Sequence, residues 1–177
     1  MSDIRGERIV LREKRLEDAQ EDYEWRIDEE LARLDAAVPL RMSYQDFLQA
    51  VAAELRYPSS CSQRFAIDTV DGTHIGNCMY YDINTVKGET EIGIMIGKRQ
   101  YWSQGYGTEA IMSLLEHIFS TTSLRRTYLH TLDWNVRAQR SFEKCGFRAI
   151  QSVRRMGHNF ILMEQFRKEW EVRQSDQ

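Results

Sequence analysis

No apolar run in this 177-residue chain approaches the length of a membrane span, and the N-terminus has no apolar signal core. Cysteine is scarce and unpatterned. Cys61, Cys78 and Cys145 are odd in number and widely scattered, with no CxxC pair, and His74, His117, His130 and His158 show no zinc-ligand spacing. Neither a disulfide framework nor a metal site is expected, and reduced thiols in a cytoplasmic protein are the simplest account. The net charge is only −3, so no global polyelectrolyte field points to DNA or RNA, and no basic stripe interleaved with aromatics runs along the chain. A nucleic-acid partner and a membrane are therefore not expected. Repeats, low-complexity segments and linkers are also missing, and the length suits a single domain over residues 1–177.

What is present is core material. The chain is 42% hydrophobic and carries four Trp, eight Tyr and seven Phe, too much apolar and aromatic substance for a disordered chain. Charge is uneven along it. Nine acids lie between Glu17 and Asp35 against Arg26 and Arg33, whereas Arg125 to Arg173 holds eleven basic residues against five acids. Solvated helix faces explain such runs. A bipolar molecule, with an anionic ligand near the basic half and a cationic one near the acidic half, is the sharper alternative.

Periodicity orders the elements. Arg8–Arg12 reads as a first strand, and Leu16 to Asp35 as one helix with Tyr23, Ile27, Leu31 and Leu34 at spacings of three or four. Pro39 closes that stretch, and Ser43 is a plausible N-cap for a helix running to Leu55 before Pro58. Arg64–Val70, His74–Ile83 and Glu91–Ile96 form an antiparallel meander with tight turns at Asp71-Gly72 and Lys87-Gly88. A helix carrying Ala110, Ile111, Leu114, Leu115, Ile118 and Phe119 follows, then strand Arg126–Leu132 and helix Val136–Cys145 with Gly146 at its end. Strands Phe147–Val153 and Phe160–Phe166 finish the chain around a turn at Gly157-His158-Asn159. The class is α/β, with a mixed sheet.

The most specific local signal is Tyr101-Trp102-Ser103-Gln104-Gly105-Tyr106-Gly107-Thr108-Glu109-Ala110, set between a strand and an amphipathic helix. Glycines there allow close backbone approach, and the unpaired first amides of a helix, reinforced by its dipole, make an anion site suited to a pyrophosphate. No Gly-Lys-Ser/Thr follows, which excludes a Walker loop. The third glycine of a dinucleotide fingerprint is missing, and the preceding strand belongs to a meander. Taken alone, the segment is equally compatible with a glycine-rich turn that holds no ligand.

The segment resembles the Q/R-x-x-G-x-G/A loop of the GNAT acetyltransferases, with Trp102 in the first place. It is especially similar to the branch containing the ribosomal-protein N-terminal acetyltransferases. Asn135-Val136-Arg137-Ala138-Gln139-Arg140-Ser141-Phe142-Glu143-Lys144-Cys145-Gly146-Phe147 resembles the second motif of that family, and the resemblance extends through Lys168-Glu169-Trp170. It implies the GNAT fold: a mostly antiparallel, seven-stranded mixed sheet, helices on both faces and splayed central strands.

It also implies acetyl-CoA as cosubstrate. Backbone amides of Ser103, Gln104, Gly105, Tyr106, Gly107 and Thr108 are expected at the pyrophosphate, and Trp102 is expected to belong to the cofactor site. Pantetheine would lie between the splayed strands, pairing with the backbone of Ile94 and Ile96, and Asn135 would reach it unless it only caps the next helix. Arg140 and Lys144, one turn apart, are candidate phosphate contacts. Glu91, on the strand lining the cleft, is the candidate base that makes the acceptor amine neutral. Trp25, Asp28, Glu29 and Tyr57, with the segment Arg155 to Phe160, are the candidate acceptor contacts.

Two departures stand out. Phe142 and Ala138 occupy places where relatives carry hydroxyl residues that assist the leaving thiolate, with Ser141 and Tyr128 as substitutes to consider. The implied activity is direct acetyl transfer to a primary amine, at a peptide N-terminus or on a small molecule such as a polyamine, amino acid or antibiotic. A non-catalytic acyl-CoA sensor would keep the loop and tolerate both departures. A homodimer is possible by analogy.

Overall fold

The computed structural model describes residues 3–175, so the expected domain limits 1–177 extend past it at both ends. Its strands are β1 (Ile4–Arg5), β2 (Ile9–Glu13), β3 (Ser62–Thr69), β4 (His74–Asn84), β5 (Glu89–Ile96), β6 (Arg126–Leu132), β7 (Arg148–Arg155) and β8 (His158–Phe166). They form one sheet in the order β1-β2-β3-β4-β5-β6-β8-β7. Every neighbouring pair is antiparallel except β5–β6, which is parallel. Eight strands replace the expected seven because the two-residue β1, pairing Ile4 and Arg5 with Leu11 and Val10, is too short to leave a period in the sequence.

The helices are α1 (Ala19–Ile27), α2 (Glu29–Leu34), α3 (Tyr44–Arg56), α4 (Tyr106–Thr121), α5 (Val136–Lys144) and α6 (Arg167–Ser175). The single helix expected over residues 16–35 is broken. A 3-10 turn at Leu16–Asp18 leads into α1, and Asp28 is extended (φ −72°, ψ 124°), with its carboxylate accepting the Leu31 N–H at 2.9 Å. An aspartate there competes with the helix for its own backbone and starts α2 afresh. Ser43 caps α3, accepting the Asp46 N–H at 3.2 Å, as its place in the sequence predicts. Helix α6 was not anticipated: only Trp170 and Val172 are large and apolar in it, and Trp170 packs on Phe119 at 5.6 Å between ring centroids. The β7–β8 turn is also tighter than expected, since Arg155 already pairs with His158 across Met156 and Gly157. Both turn residues have positive φ (49° and 82°), which suits a two-residue hairpin.

Helix α4 covers one face of the sheet. Ala110, Ile111, Leu114, Leu115 and Ile118 are fully buried there with Ile9, Leu11, Phe65, Ile67 and Ile92. Each such Leu or Ile contributes about 1.5–3 kcal/mol by leaving water. The alternate side chains point to the opposite face, beneath α1. There Trp25 lies against Gly97 and stacks at 5.0 Å on His74. A polar network fastens α1 to the sheet. Arg12 pairs with Asp18 (2.7 Å) and Asp68 (2.6 Å), His74 sits between Asp68 and Asp22, and Lys14 reaches Asp22 at 2.6 Å.

The feature that positions the site is the β5–β6 junction. Its rungs are Glu89↔Arg126, Thr90↔Thr127 and Glu91↔Tyr128, after which the ladder stops. Strand β5 continues against β4 as far as Ile96↔Gly76, and β6 continues against β8 as far as Leu132↔Phe160. The two central strands thus part company from Ile92 and Leu129 onward, which is the splay expected from the resemblance.

Candidate active site

The backbone of β5 is directional. Gly97 donates its N–H to Ile75 of β4 at 2.9 Å, and alternation along the strand turns the backbone groups of Ile96, Ile94 and Ile92 toward the opening. No rung of β6 meets them there. Ile94 therefore offers the free main-chain edge expected of it. Ile96 is different, because its carbonyl already accepts the indole Nε1–H of Trp102 at 2.7 Å.

The loop after β5 turns through a 3-10 segment at Arg99–Tyr101, and Ser103 (φ 58°) and Gly105 (φ 88°) are both left-handed. A residue with a side chain resists that conformation, so glycine at 105 is required, whereas Ser103 accepts the strain. Gly105 is the N-cap of α4 and supplies no side-chain cap, which leaves the first amides of a 16-residue helix without that partner. Arg8 ties the loop down, donating to the Gln104 carbonyl at 3.0 Å and to Glu109 at 2.9 Å, with its guanidinium 4.7 Å from the Tyr106 ring centroid. Gln104 is further held by a hydrogen bond to the Gln100 carbonyl. A Cβ on Gly107 would make only ordinary contact with Ile96 and Ile94. The protein itself does not need the missing side chain, and the space lies over the free end of β5.

On the other wall, Asn135 caps α5, its Oδ1 accepting the Ala138 N–H at 3.3 Å; the carboxamide NH₂ is left for other partners. Arg137, not anticipated, stacks 4.1 Å from the Trp102 ring centroid and so bridges α5 to the loop. Thr108 and Ser141 hydroxyls meet at 2.8 Å, joining α4 to α5. Phe142 is buried and packs on Phe147 at 6.0 Å. Arg140 and Lys144 are exposed on α5.

Glu91 stands at the last rung of the β5–β6 ladder and is 6% exposed. Its Oε1 is 2.8 Å from His130 Nδ1, and Tyr81 is its cross-strand partner on β4. Burial, joined by the charge of Glu91, pushes the Tyr81 phenol up, and the same two causes raise Tyr128, so both remain protonated at neutral pH. Arg155, from the hairpin, places Nη1 3.0 Å from His130 Nδ1. Nothing in the sequence marked His130 as a partner of Glu91. The two are 39 positions apart, and only the parallel register of β5 and β6 brings them together.

The expected acceptor residues are scattered. Trp25 is a core aromatic, 7% exposed, and its place is beneath α1 against Gly97. Asp28 is committed twice, to the Leu31 amide and to Arg99 at 2.8 Å. Glu29 is exposed in the first turn of α2. Tyr57 ends α3, 72% exposed, with Arg56 5.5 Å from its ring centroid. Five of the nine acids in the stretch are neutralised by the rest of the protein, since Asp18, Asp22, Glu21, Asp28 and Glu30 pair with Arg12, Lys14, Lys98 and Arg99, while Glu17, Glu24 and Glu29 are exposed.

Residues 8–148 match the family described as Acetyltransferase (GNAT) domain. The chain belongs to the GNAT acetyltransferase family. It is 27% identical over 128 residues, 71% of each chain, to an uncharacterised N-acetyltransferase, p20, of Bacillus licheniformis. A spermidine N-acetyltransferase of Vibrio cholerae, solved with CoA and spermine, superposes with a TM-score of 0.83 at 17% identity, covering 94% of this chain and 99% of that one. An aminoglycoside acetyltransferase solved with coenzyme A gives 0.77 at 20% identity, with 94% and 99% covered. Acetyl-CoA is the cosubstrate of GNAT enzymes. The residues present fit it: an α4 N-terminus without a capping side chain, a glycine at 107 that leaves room, and a free main-chain edge at Ile94.

Proposed function

We propose that this GNAT enzyme acetylates a primary amine by direct transfer, with the amides of residues 103–108 holding the pyrophosphate and Glu91 serving the proton removal at the apex of the cleft. The observation that carries the reading is the ladder ending at Glu91↔Tyr128, which sets a buried carboxylate at the point where the two strands open. Asn135 keeps donors for the pantetheine chain, and Arg140 and Lys144 supply positive charge for a phosphate. Direct transfer is supported by the thiols. Burial pushes Cys145 up to about 12 and Cys78 higher still, so neither is a ready nucleophile. The unpaired cysteines also support placement in the cytoplasm.

For the acceptor, the reading is the α-amine of a peptide or protein, as in the ribosomal-protein branch. Pairing of five of the nine acids in the acidic stretch supports it, because those carboxylates are already committed and do not wait for a polycation. A small-molecule amine is the second reading, favoured by the likeness to spermidine and aminoglycoside enzymes.

Calorimetric titration with acetyl-CoA and with dephospho-CoA, followed by thiol release over a panel of a short alanine-leading peptide, spermidine and an aminoglycoside, tests the whole. One-site binding with turnover on the peptide supports the first reading, and turnover on the small amines alone replaces it by the second. Binding without thiol release on any amine leaves an acyl-CoA sensor. Absence of binding by folded protein sinks the reading at its base.

A further inference from the structure

Glu91 is poorly placed to meet an amine itself. It is 6% exposed, Oε1 is bound to His130 at 2.8 Å, and Tyr81 flanks it as its cross-strand partner on β4. Its partner is more open. His130 lies two residues past Tyr128, the last residue of β6 to pair with β5, and its side chain is 14% exposed against 8% for Glu91. Their contact spans the two strands at the apex of the opening. A carboxylate only accepts, so Nδ1 offers Glu91 its N–H, and Nε2 is the ring nitrogen left for a second partner.

The groups facing this ring are Glu91 from β5, Tyr128 edge-on at 6.1 Å, Phe160 from β8 at 6.3 Å, and Arg155 from β7. Arg155 is exposed, with Nη1 3.0 Å from Nδ1 and 3.4 Å from Nε2. A cation thus already rests against the imidazole from the solvent-exposed hairpin.

We propose that His130, oriented by Glu91, is the group that takes the proton from the acceptor ammonium, which replaces the Arg155 guanidinium beside the ring. The proposal rests on the N-acetyltransferase reading. His130 Nε2 accepts one proton from R–NH₃⁺ and later passes it to solvent. The freed amine forms a C–N bond to the thioester carbonyl as the C–S bond breaks, and the sulfur leaves with that electron pair. The second proton shed by nitrogen balances the thiolate. In this scheme Glu91 touches only the imidazole and is a positioning residue.

The test compares wild type, His130→Gln, His130→Asn and Glu91→Gln by acetyl-CoA titration and by thiol release, with whichever panel amine the wild type acetylates, across about pH 5–9. Both His130 variants are expected to bind acetyl-CoA within about twofold of wild type, to lose about 100-fold or more in kcat, and to lose the acid limb of the pH profile. Glu91→Gln is expected to lose less, about tenfold, and to keep a displaced limb. The asparagine variant guards against one replacement failing to fold. A His130 variant that retains kcat within threefold, or keeps the limb while Glu91→Gln abolishes it, overturns the proposal and returns the proton to Glu91. Wild-type protein that binds no acetyl-CoA defeats the underlying reading instead.

Discussion

The indole of Trp102 is hydrogen-bonded to the carbonyl of Ile96 at 2.7 Å and covered by Arg137 at 4.1 Å, so one side chain fastens the glycine loop to a strand edge and to α5. The hydrogen bond is worth about 0.5–1.5 kcal/mol and the cation–π contact about 0.5–1. Losing both loosens the loop proposed to hold the pyrophosphate. Trp102→Leu should therefore weaken acetyl-CoA binding by roughly 5- to 30-fold in a calorimetric titration. Trp102→Phe, which keeps a ring for Arg137 but loses the hydrogen bond, should lose about half or somewhat more of that in free energy. Unchanged affinity in both would show that the contact does not order the loop.

The network under α1 predicts an acid limit to stability. The Arg12 guanidinium and the Arg15 amide outweigh burial and hold Asp18 down at about 2, and Asp22 is lowered against its own burial by His74, Lys14 and Asn77. A carboxylate depressed in the folded state stabilises above its ordinary pKa, and that contribution is lost as pH falls from about 4 toward 2. For Asp18 the contribution is about 2 kcal/mol. Urea unfolding at neutral pH and in acid should show the loss. Asp18→Asn should remove most of the acid dependence while costing about 3–5 kcal/mol at neutral pH, because Arg12 is left buried with one partner fewer.

Gly97 ends β5 directly against Trp25, and a Cβ there would lie 2.0 Å from Trp25 Cδ2. Gly97→Ala should cost about 1–3 kcal/mol by overpacking and shift Trp25 emission as the indole is displaced. A fully stable variant with unchanged fluorescence would mean that the sheet yields more easily than its packing implies.

Ser141 was one candidate to replace the hydroxyls absent at Phe142 and Ala138. It is already paired with Thr108 at 2.8 Å between α4 and α5. Ser141→Ala should lower stability by about 1 kcal/mol with kcat within threefold of wild type. A loss of 100-fold in kcat would make it the proton donor to the thiolate after all.

Local patterns written in the chain went far. The meander from Arg64 to Ile96 declares itself by alternation and by Asp71-Gly72, and α4 by its apolar stripe above a glycine loop. Helix breaks were harder. Nothing in the spacing of Ile27, Leu31 and Leu34 shows that Asp28 will leave the helix and cap the next one, because the apolar period passes through the break unchanged. Strand β1 and helix α6 gave too little periodic signal to be found.

By itself, then, the order of residues determined most of the element types, the glycine turn before α4 and the family, since each depends on near neighbours in the chain. The site depended on distances the chain cannot state. Whether Trp25 meets a ligand or Gly97, whether Asp28 is free or held by Arg99, and which donor reaches Glu91 were decided by packing and strand register. The Glu91–His130 contact exists because two parallel strands pair for three rungs and then separate, a property of the whole sheet rather than of either strand.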